Sequence, residues 1–127
     1  MADQITLTIP KEEAYHGVAR LVLSGLAARL NLTYEHLEDL ELALDGVLER
    51  APGVGELTVT FSAQGDAIDT LVGPFAPDAL GELERPPADE LGLRRILETV
   101  SDGFDLESRE GFRWVRLHKT FESALRS

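Results

Sequence analysis

The spacing of hydrophobic positions changes several times along the chain, and each change marks an element. In "QITLTIP", Ile5, Leu7 and Ile9 alternate with polar residues, the period of a half-buried strand, and Pro10 closes it. From Glu12 or Glu13 to Leu30 the spacing turns helical, with Val18, Val22 and Leu26 four apart. Gly25 inside this run implies close packing or a weak point in the helix. "NLT" then interrupts the pattern, and Thr33 offers an N-cap to a second helix over about Tyr34 to Arg50. Its apolar stripe is Leu37, Leu40, Leu44, Val47 and Ala51, widened by Leu48. Glu38, Glu41, Asp45 and Glu49 flank the stripe, and Gly46 and Arg50 fall on the far side beside Ala43. Pro52 and Gly53 end the helix.

"ELTVTFSAQ" alternates through Leu57, Val59 and Phe61, Gly65–Asp66 is a turn signal, and "AIDTLVGPF" returns as the second arm of a hairpin. "APDALGELERPPAD" is rich in Pro, Gly and acid, which predicts a loop with at most one short helical turn. "DELGLRRILETVSD" predicts a third helix with Leu91, Ile96, Leu97 and Val100 apolar. "GFDLESRE" and "FRWVRLHKTF" form a second hairpin about Glu110–Gly111, and Trp114, Val115 and Leu117 alternate too poorly to choose its buried face. The order β α α β β α β β predicts a largely antiparallel sheet with helices on one face, a two-layer α+β sandwich.

Composition narrows the function classes. The chain has 127 residues, which suits one domain over 1–127, and 43% are hydrophobic, enough for a core. Cysteine is absent, which excludes a disulfide framework, a zinc ribbon and a thiol nucleophile, and fits a reducing, cytoplasmic setting. "MADQITLTIP" has neither the basic start nor the apolar run of a secretory leader. No stretch approaches the roughly 20 apolar residues of a membrane span, and "VARLVLSGLAARL" is broken by Arg20 and Arg29. A net charge of −11, with Lys11 and Lys119 the only lysines, argues against nucleic acid. It leaves solvated acidic faces or a basic protein partner. His16, His36 and His118 lack metal-ligand spacing, which assigns them surface or capping roles. Ser24, Ser62, Ser101 and Ser108 have no Gly-x-Ser-x-Gly context, so nothing supports a serine hydrolase.

Taken together, "VARLVLSGLAARL" followed by "DLELALDGVLERA", then "VGPFAPD", "LGLRRILETVSD" and "FRWVRLHKTF", resemble the bacterial anti-sigma factor serine kinases of the GHKL superfamily. The resemblance spans about Ile5 to Phe121 and implies a histidine-kinase-like ATPase (Bergerat-type) fold: a mixed, mostly antiparallel sheet with helices on one side. It also implies a Mg·ATP site. In that design a Glu and an Asn four residues apart on the second helix serve as base and metal ligand. An Asp in a "DxGxG" strand end reads the adenine, and a "GxGL" lets helix-end amides approach phosphate.

Several of those positions depart from the pattern. Gly46 stands where the Glu is expected and has no side chain to act as a base. Arg50 stands where the Asn is expected; its guanidinium has five donors and no acceptor, so it cannot ligate Mg²⁺. With Gly73 as the first glycine of the adenine motif, Leu71 replaces the Asp and Phe75 the second glycine; a shifted frame makes Asp69 the acid but puts Leu71 at a glycine. In the later motif Gly92 and Leu93 remain, while Glu90 replaces the leading glycine and sets a carboxylate against phosphate. Asp45 and Glu49 would form an i, i+4 acid pair in another register, which the flanking Leu–Ala and Ala51 positions oppose.

The resemblance therefore predicts a degenerate member: a regulatory factor acting by protein–protein binding, with no catalytic residue, metal or cofactor. Its vestigial nucleotide pocket would comprise Gly46, Arg50, Gly73 and Gly92, covered by the loop Ala76–Asp89 in the place of an ATP lid, mobile or collapsed. Asp78, Glu82 and Glu84 in that loop read as solvated acids. The implied partners are a sigma factor or an anti-anti-sigma-type protein, contacted through Arg20 of the first helix, and pairing as a homodimer is compatible with the family. Read by itself, Arg20 is an ordinary solvated helix arginine. Arg50, likewise, is a C-terminal helix cation favoured by the helix dipole and paired with Glu49 or Glu90. Two alternatives stay open: a serine/threonine kinase that uses ATP and Mg²⁺ through an atypical site, and a sensor of a small anion held by Arg50.

Overall fold

A computed structural model describes residues 3–51, 55–83 and 92–121. Five strands form one sheet: β1 (Asp3–Pro10), β2 (Glu56–Gln64), β3 (Ala67–Phe75), β4 (Gly103–Arg109) and β5 (Phe112–Thr120). Their order is β1-β2-β3-β5-β4, and each neighbouring pair is antiparallel. Ile5, Leu7 and Ile9 stand opposite Phe61, Val59 and Leu57, so both apolar rows share one face. Val59 and Phe61 in turn oppose Val72 and Thr70, and these oppose Val115 and Leu117. The pairing thus resolves the undecided face of β5: Val115 and Leu117 point inward and are buried, while Trp114 lies on the other face. That outer face carries polar rows, including hydroxyl contacts of 3.1 Å between Thr6 and Thr60 and between Thr8 and Thr58.

Both hairpins turn where the glycine signals place them. Gly65 takes φ 61 between β2 and β3, and Glu110 and Gly111 take φ 52 and 84 between β4 and β5. Two successive positive φ values match the right-handed twist of the flanking strands.

Three helices cover the inner face: α1 (His16–Leu30), α2 (Tyr34–Leu48) and α3 (Leu93–Val100). A 3-10 turn over Glu13–Tyr15 leads into α1, so the α-helix starts later than expected. Thr33 caps α2, its hydroxyl accepting from the His36 N–H at 3.3 Å. The expected stop at Pro52–Gly53 lies outside the described residues, as do the first part of the expected third helix, with Leu91, and the tail after Phe121.

Three expectations about the helices change. The buried row of α1 is Ala19, Leu23, Leu26 and Ala27, and Val18 is 43% exposed. The run is apolar on more than one side, so spacing alone does not select the face, and the small side chains of Ala19 and Ala27 are among those buried. Gly25 is exposed with open space around it, so no close contact requires it. Ala43 is buried, because α3 packs on what the sequence presents as the far side of α2. Between β3 and α3, Leu80 and Leu83 are buried and a 3-10 turn spans Gly81–Leu83. Arg94 donates to the Leu83 carbonyl at 2.5 Å, so the described part of the loop is collapsed onto the core. Among the described residues, no helix is long and apolar enough to cross a membrane.

Candidate functional site

Gly46 lies in the last turn of α2 and faces the start of α3. A Cβ there would stand 2.7 Å from Leu93 Cδ1, well inside van der Waals contact. Leu93 is fully buried, and room for such a Cβ would require its side chain or one of the two helices to shift. The missing Cβ of the glycine is the room that Leu93 occupies. Gly92 sits immediately before Leu93 as the N-cap of α3, with φ −70 and ψ 158 and no side-chain cap, and its carbonyl accepts from the Ile96 N–H at 3.1 Å. The structure thus brings Gly46 and Gly92 to the same α2–α3 junction, through Leu93.

Arg50 lies two residues beyond the end of α2 and lines a cleft of about 430 Å³ together with Lys11, Glu49, Ala51, Phe75 and Asp78. The cleft joins three chain segments. Lys11 follows β1, its N–H donating to the Gly55 carbonyl at 2.9 Å. Phe75 ends β3, where a register shift after Val72 turns both residues into the core. Its polar wall holds two cations, Lys11 and Arg50, and two carboxylates, Glu49 and Asp78. Glu90, the other acid considered for Arg50, lies outside the described residues, as does Glu84.

Gly73 belongs to a different environment. It stands on the outer face of β3, and a Cβ there would meet the Trp114 ring, with Cδ2 at 2.4 Å. The indole lies across the glycine from the neighbouring strand. Arg109 stacks on the same ring with its guanidinium carbon 5.4 Å from the centroid, and Glu107 binds both Arg109 (2.8 Å) and Arg116 (2.5 Å). The Arg116 hydrogen bond, followed by that of Arg109, holds the Glu107 carboxyl below its ordinary pKa, and Arg116 is correspondingly raised by Glu107. Asp69, the alternative adenine-reading acid, is on this outer face too and contacts His118 Nδ1 at 2.6 Å.

Arg20 reaches from α1 to α2, where its Nη1 donates to Asp45 Oδ1 at 2.8 Å. Side-chain exposures of 42% and 33% leave the pair at the surface. The hydrogen bond to Asp45 and its charge, with Glu41 adding to them, raise the Arg20 pKa above its ordinary value. Asp45 is thus engaged across the helices, and Glu49 is exposed at the end of its own.

His16 departs from its expected surface role. It is buried at the start of α1, 6% exposed, with Nε2 3.3 Å from the Lys11 carbonyl. A carbonyl can only accept, so that nitrogen carries the hydrogen. His36 and His118 lie in α2 and β5, and among the described residues no three His, Asp or Glu side chains gather as a metal site.

Sequence reasoning missed Leu93 and Trp114 as the residues that determine Gly46 and Gly73, and Lys11 as a wall of the cleft. Leu93 and Trp114 are contacts between distant segments, which no spacing rule displays. Lys11 carried a faint signal as one of only two lysines.

An antiparallel sheet covered on one face by three helices, with a cleft at the end of α2, is a two-layer α+β architecture, and the relatives named next make it the histidine-kinase-like ATPase fold. No protein-family model matches the chain. Over 87% of its length it is 33% identical to the serine-protein kinase RsbW of Listeria monocytogenes serotype 4a, spanning 83% of that protein. It is 29% identical to RsbW of Bacillus velezensis, over 86% of this chain and 81% of that one. Against RsbW of Bacillus subtilis it is 26% identical, over 87% and 81%. The chain belongs to the RsbW family of serine-protein kinases, the anti-sigma factor kinases.

Proposed function

We propose that this chain is a binding module of that family: an anti-sigma regulatory factor, folded as one domain, that acts by associating with a sigma factor or an anti-anti-sigma-type protein and does not transfer phosphate. The observation that carries this reading is the packing at Gly46. The position expected to hold the acidic side chain of the Mg·ATP site is a glycine, and Leu93 fills the adjoining space to 2.7 Å from where a Cβ would be. Arg50, at the position expected to hold a metal ligand, offers only donors. These residues do not fit Mg·ATP. Arg20 supports the binding role, since it is half-exposed and held in place by Asp45.

Thermal melts with ATP and with ADP, each with and without Mg²⁺, test the reading. A site filled at 100 times its dissociation constant adds about 2.7 kcal/mol to stability. The expected result is no shift. A Mg²⁺-dependent shift, or phosphate turnover by the purified chain, would replace the binding module with a kinase of atypical site. The pair of cations in the cleft, Lys11 and Arg50, favours one secondary reading, a small-anion site. It requires that inorganic phosphate stabilise the chain and that Arg50→Ala abolish the effect.

A further inference from the structure

We infer that the cleft at the end of α2 binds a small zwitterion, a free α-amino acid with an apolar side chain. The inference rests on the proposal that this cleft no longer serves Mg·ATP. It goes beyond the small-anion reading by giving the ligand a positive group and an apolar one. Charge is the first observation. In a chain with 12 basic and 23 acidic residues, the wall of this cleft holds two cations, Lys11 and Arg50, and two carboxylates, Glu49 and Asp78. Their formal charges cancel. A multiply charged anion meets repulsion from one pair as it meets attraction from the other, whereas a molecule with one charge of each sign can engage both.

The end of α2 adds a field of its own. Glu49 is the C-cap of that helix. The carbonyls of a helix C-terminus carry partial negative charge, which favours an ammonium group and opposes a lone anion. The Val47 and Leu48 carbonyls accept from the N–H groups of Arg50 and Ala51 at 3.0 and 3.2 Å, which fixes the segment carrying Arg50 against the helix end. Lys11 enters from another segment. Its N–H donates to the Gly55 carbonyl at 2.9 Å, and its stem lies along the same glycine, where a Cβ would stand 3.7 Å from Cε and 3.9 Å from Nζ. Main chain and stem are thus both seated on Gly55, which limits where the ammonium can go. The rest of the lining is apolar: Phe75, where the family resemblance expects a glycine, with Ala51, Ala76 and Ala79. Their side chains offer no hydrogen-bond partner, so this part of the cleft suits an aliphatic group. The volume of about 430 Å³ falls within the range of small-molecule sites. An apolar α-amino acid meets all of these conditions. Its carboxylate pairs with Arg50 and Lys11, its ammonium with Glu49, Asp78 and the helix end, and its side chain lies on Phe75 and the alanines.

The test is thermal melting and isothermal titration calorimetry of the full chain with L-leucine, L-leucinamide, isocaproate and inorganic phosphate. Leucinamide keeps the ammonium of leucine and lacks the carboxylate; isocaproate keeps the carboxylate and lacks the ammonium. Arg50→Ala and Asp78→Asn remove one charge of each sign from the wall, and Glu38→Gln, exposed on α2 and outside the cleft, is the control. Circular dichroism checks that each variant is folded. The expected result is that leucine binds and raises the melting temperature. Affinity should fall roughly tenfold or more for leucinamide, for isocaproate and in each cleft variant, the loss expected when a hydrogen bond to a charged group is removed. Glu38→Gln should bind as the parent does. Isocaproate or phosphate binding as tightly as leucine would overturn the inference in favour of a simple anion site, and the absence of any shift with leucine would overturn it outright. Neither result bears on the loss of Mg·ATP binding, which the nucleotide melts decide separately.

Discussion

A methyl group added at Gly46 measures whether the end of α2 is packed or open. Gly46→Ala has two opposing effects. Alanine in a helix interior is more favourable than glycine by about 1 kcal/mol. Against this, the new Cβ would stand 2.7 Å from Leu93 Cδ1, where carbon atoms prefer roughly 3.5–4.0 Å. Leu93 is fully buried, so relief requires its side chain, α2 or α3 to shift, and overpacking of this kind costs about 1–3 kcal/mol. The net expectation is destabilisation by about 1 kcal/mol. Leu93→Ala removes the opposing methyl groups and by itself costs about 2–5 kcal/mol. In that background the clash is gone, and Gly46→Ala should stabilise by about 1 kcal/mol through helix propensity alone. The sign reversal corresponds to a coupling energy of about 2 kcal/mol, within the range measured for residues in contact. Urea denaturation of the four proteins, with fluorescence and circular dichroism as coincident probes, supplies the cycle. An additive cycle, in which Gly46→Ala stabilises both backgrounds equally, would refute the packing and with it the main support for a lost acid site.

Two further outcomes follow from the sheet. Gly73→Ala places a Cβ against the Trp114 ring, with 2.4 Å to Cδ2, so it should destabilise by about 1–3 kcal/mol and change the emission of the sole tryptophan; unchanged stability and spectrum would show that the ring does not lie over the glycine. Asp102 accepts from the Thr120 hydroxyl at 2.6 Å and from its N–H at 2.5 Å, and these bonds, the hydroxyl first, lower its pKa. Because the folded value is the lower one, the stabilisation is present above the ordinary aspartate pKa of about 3.9 and is lost as pH falls through the folded value. Asp102→Asn should therefore be less stable than the parent at neutral pH and show a shallower decline below about pH 4; parallel stability curves for the two proteins would contradict this.

Much of the architecture was legible because local chemistry dictates it. Thr33 caps a helix wherever a hydroxyl precedes an amphipathic run, and the Gly65–Asp66 and Glu110–Gly111 turns mark hairpins through their backbone preferences. The alternation of Leu57, Val59 and Phe61 assigned the buried face of β2 without reference to its neighbours. The faces of α1 and β5 were not legible. The "VARLVLSGLAARL" run offers more than one apolar face, and Val115 and Leu117 acquire a direction only by pairing with Val72 and Thr70. At the candidate site the residue types were readable but their surroundings were not. Gly46 and Arg50 stand out in a helix for what they lack. That Leu93 fills the space beside one, and that Lys11 and Asp78 share a cleft with the other, depends on segments far away in the chain.

By itself, the order of residues determined which segments become strands and helices, where they turn, and that Gly46 and Arg50 bring neither a carboxylate nor an acceptor to the end of α2. These properties act over a few bonds or one helical turn, a range the linear chain expresses directly. The tertiary structure alone decided that α3 packs against the glycine, that Trp114 covers Gly73, and that two cations and two carboxylates meet in one cleft. Burial and contact arise only when separate elements compete for the same space, and close packing between them settles which side chain fills it.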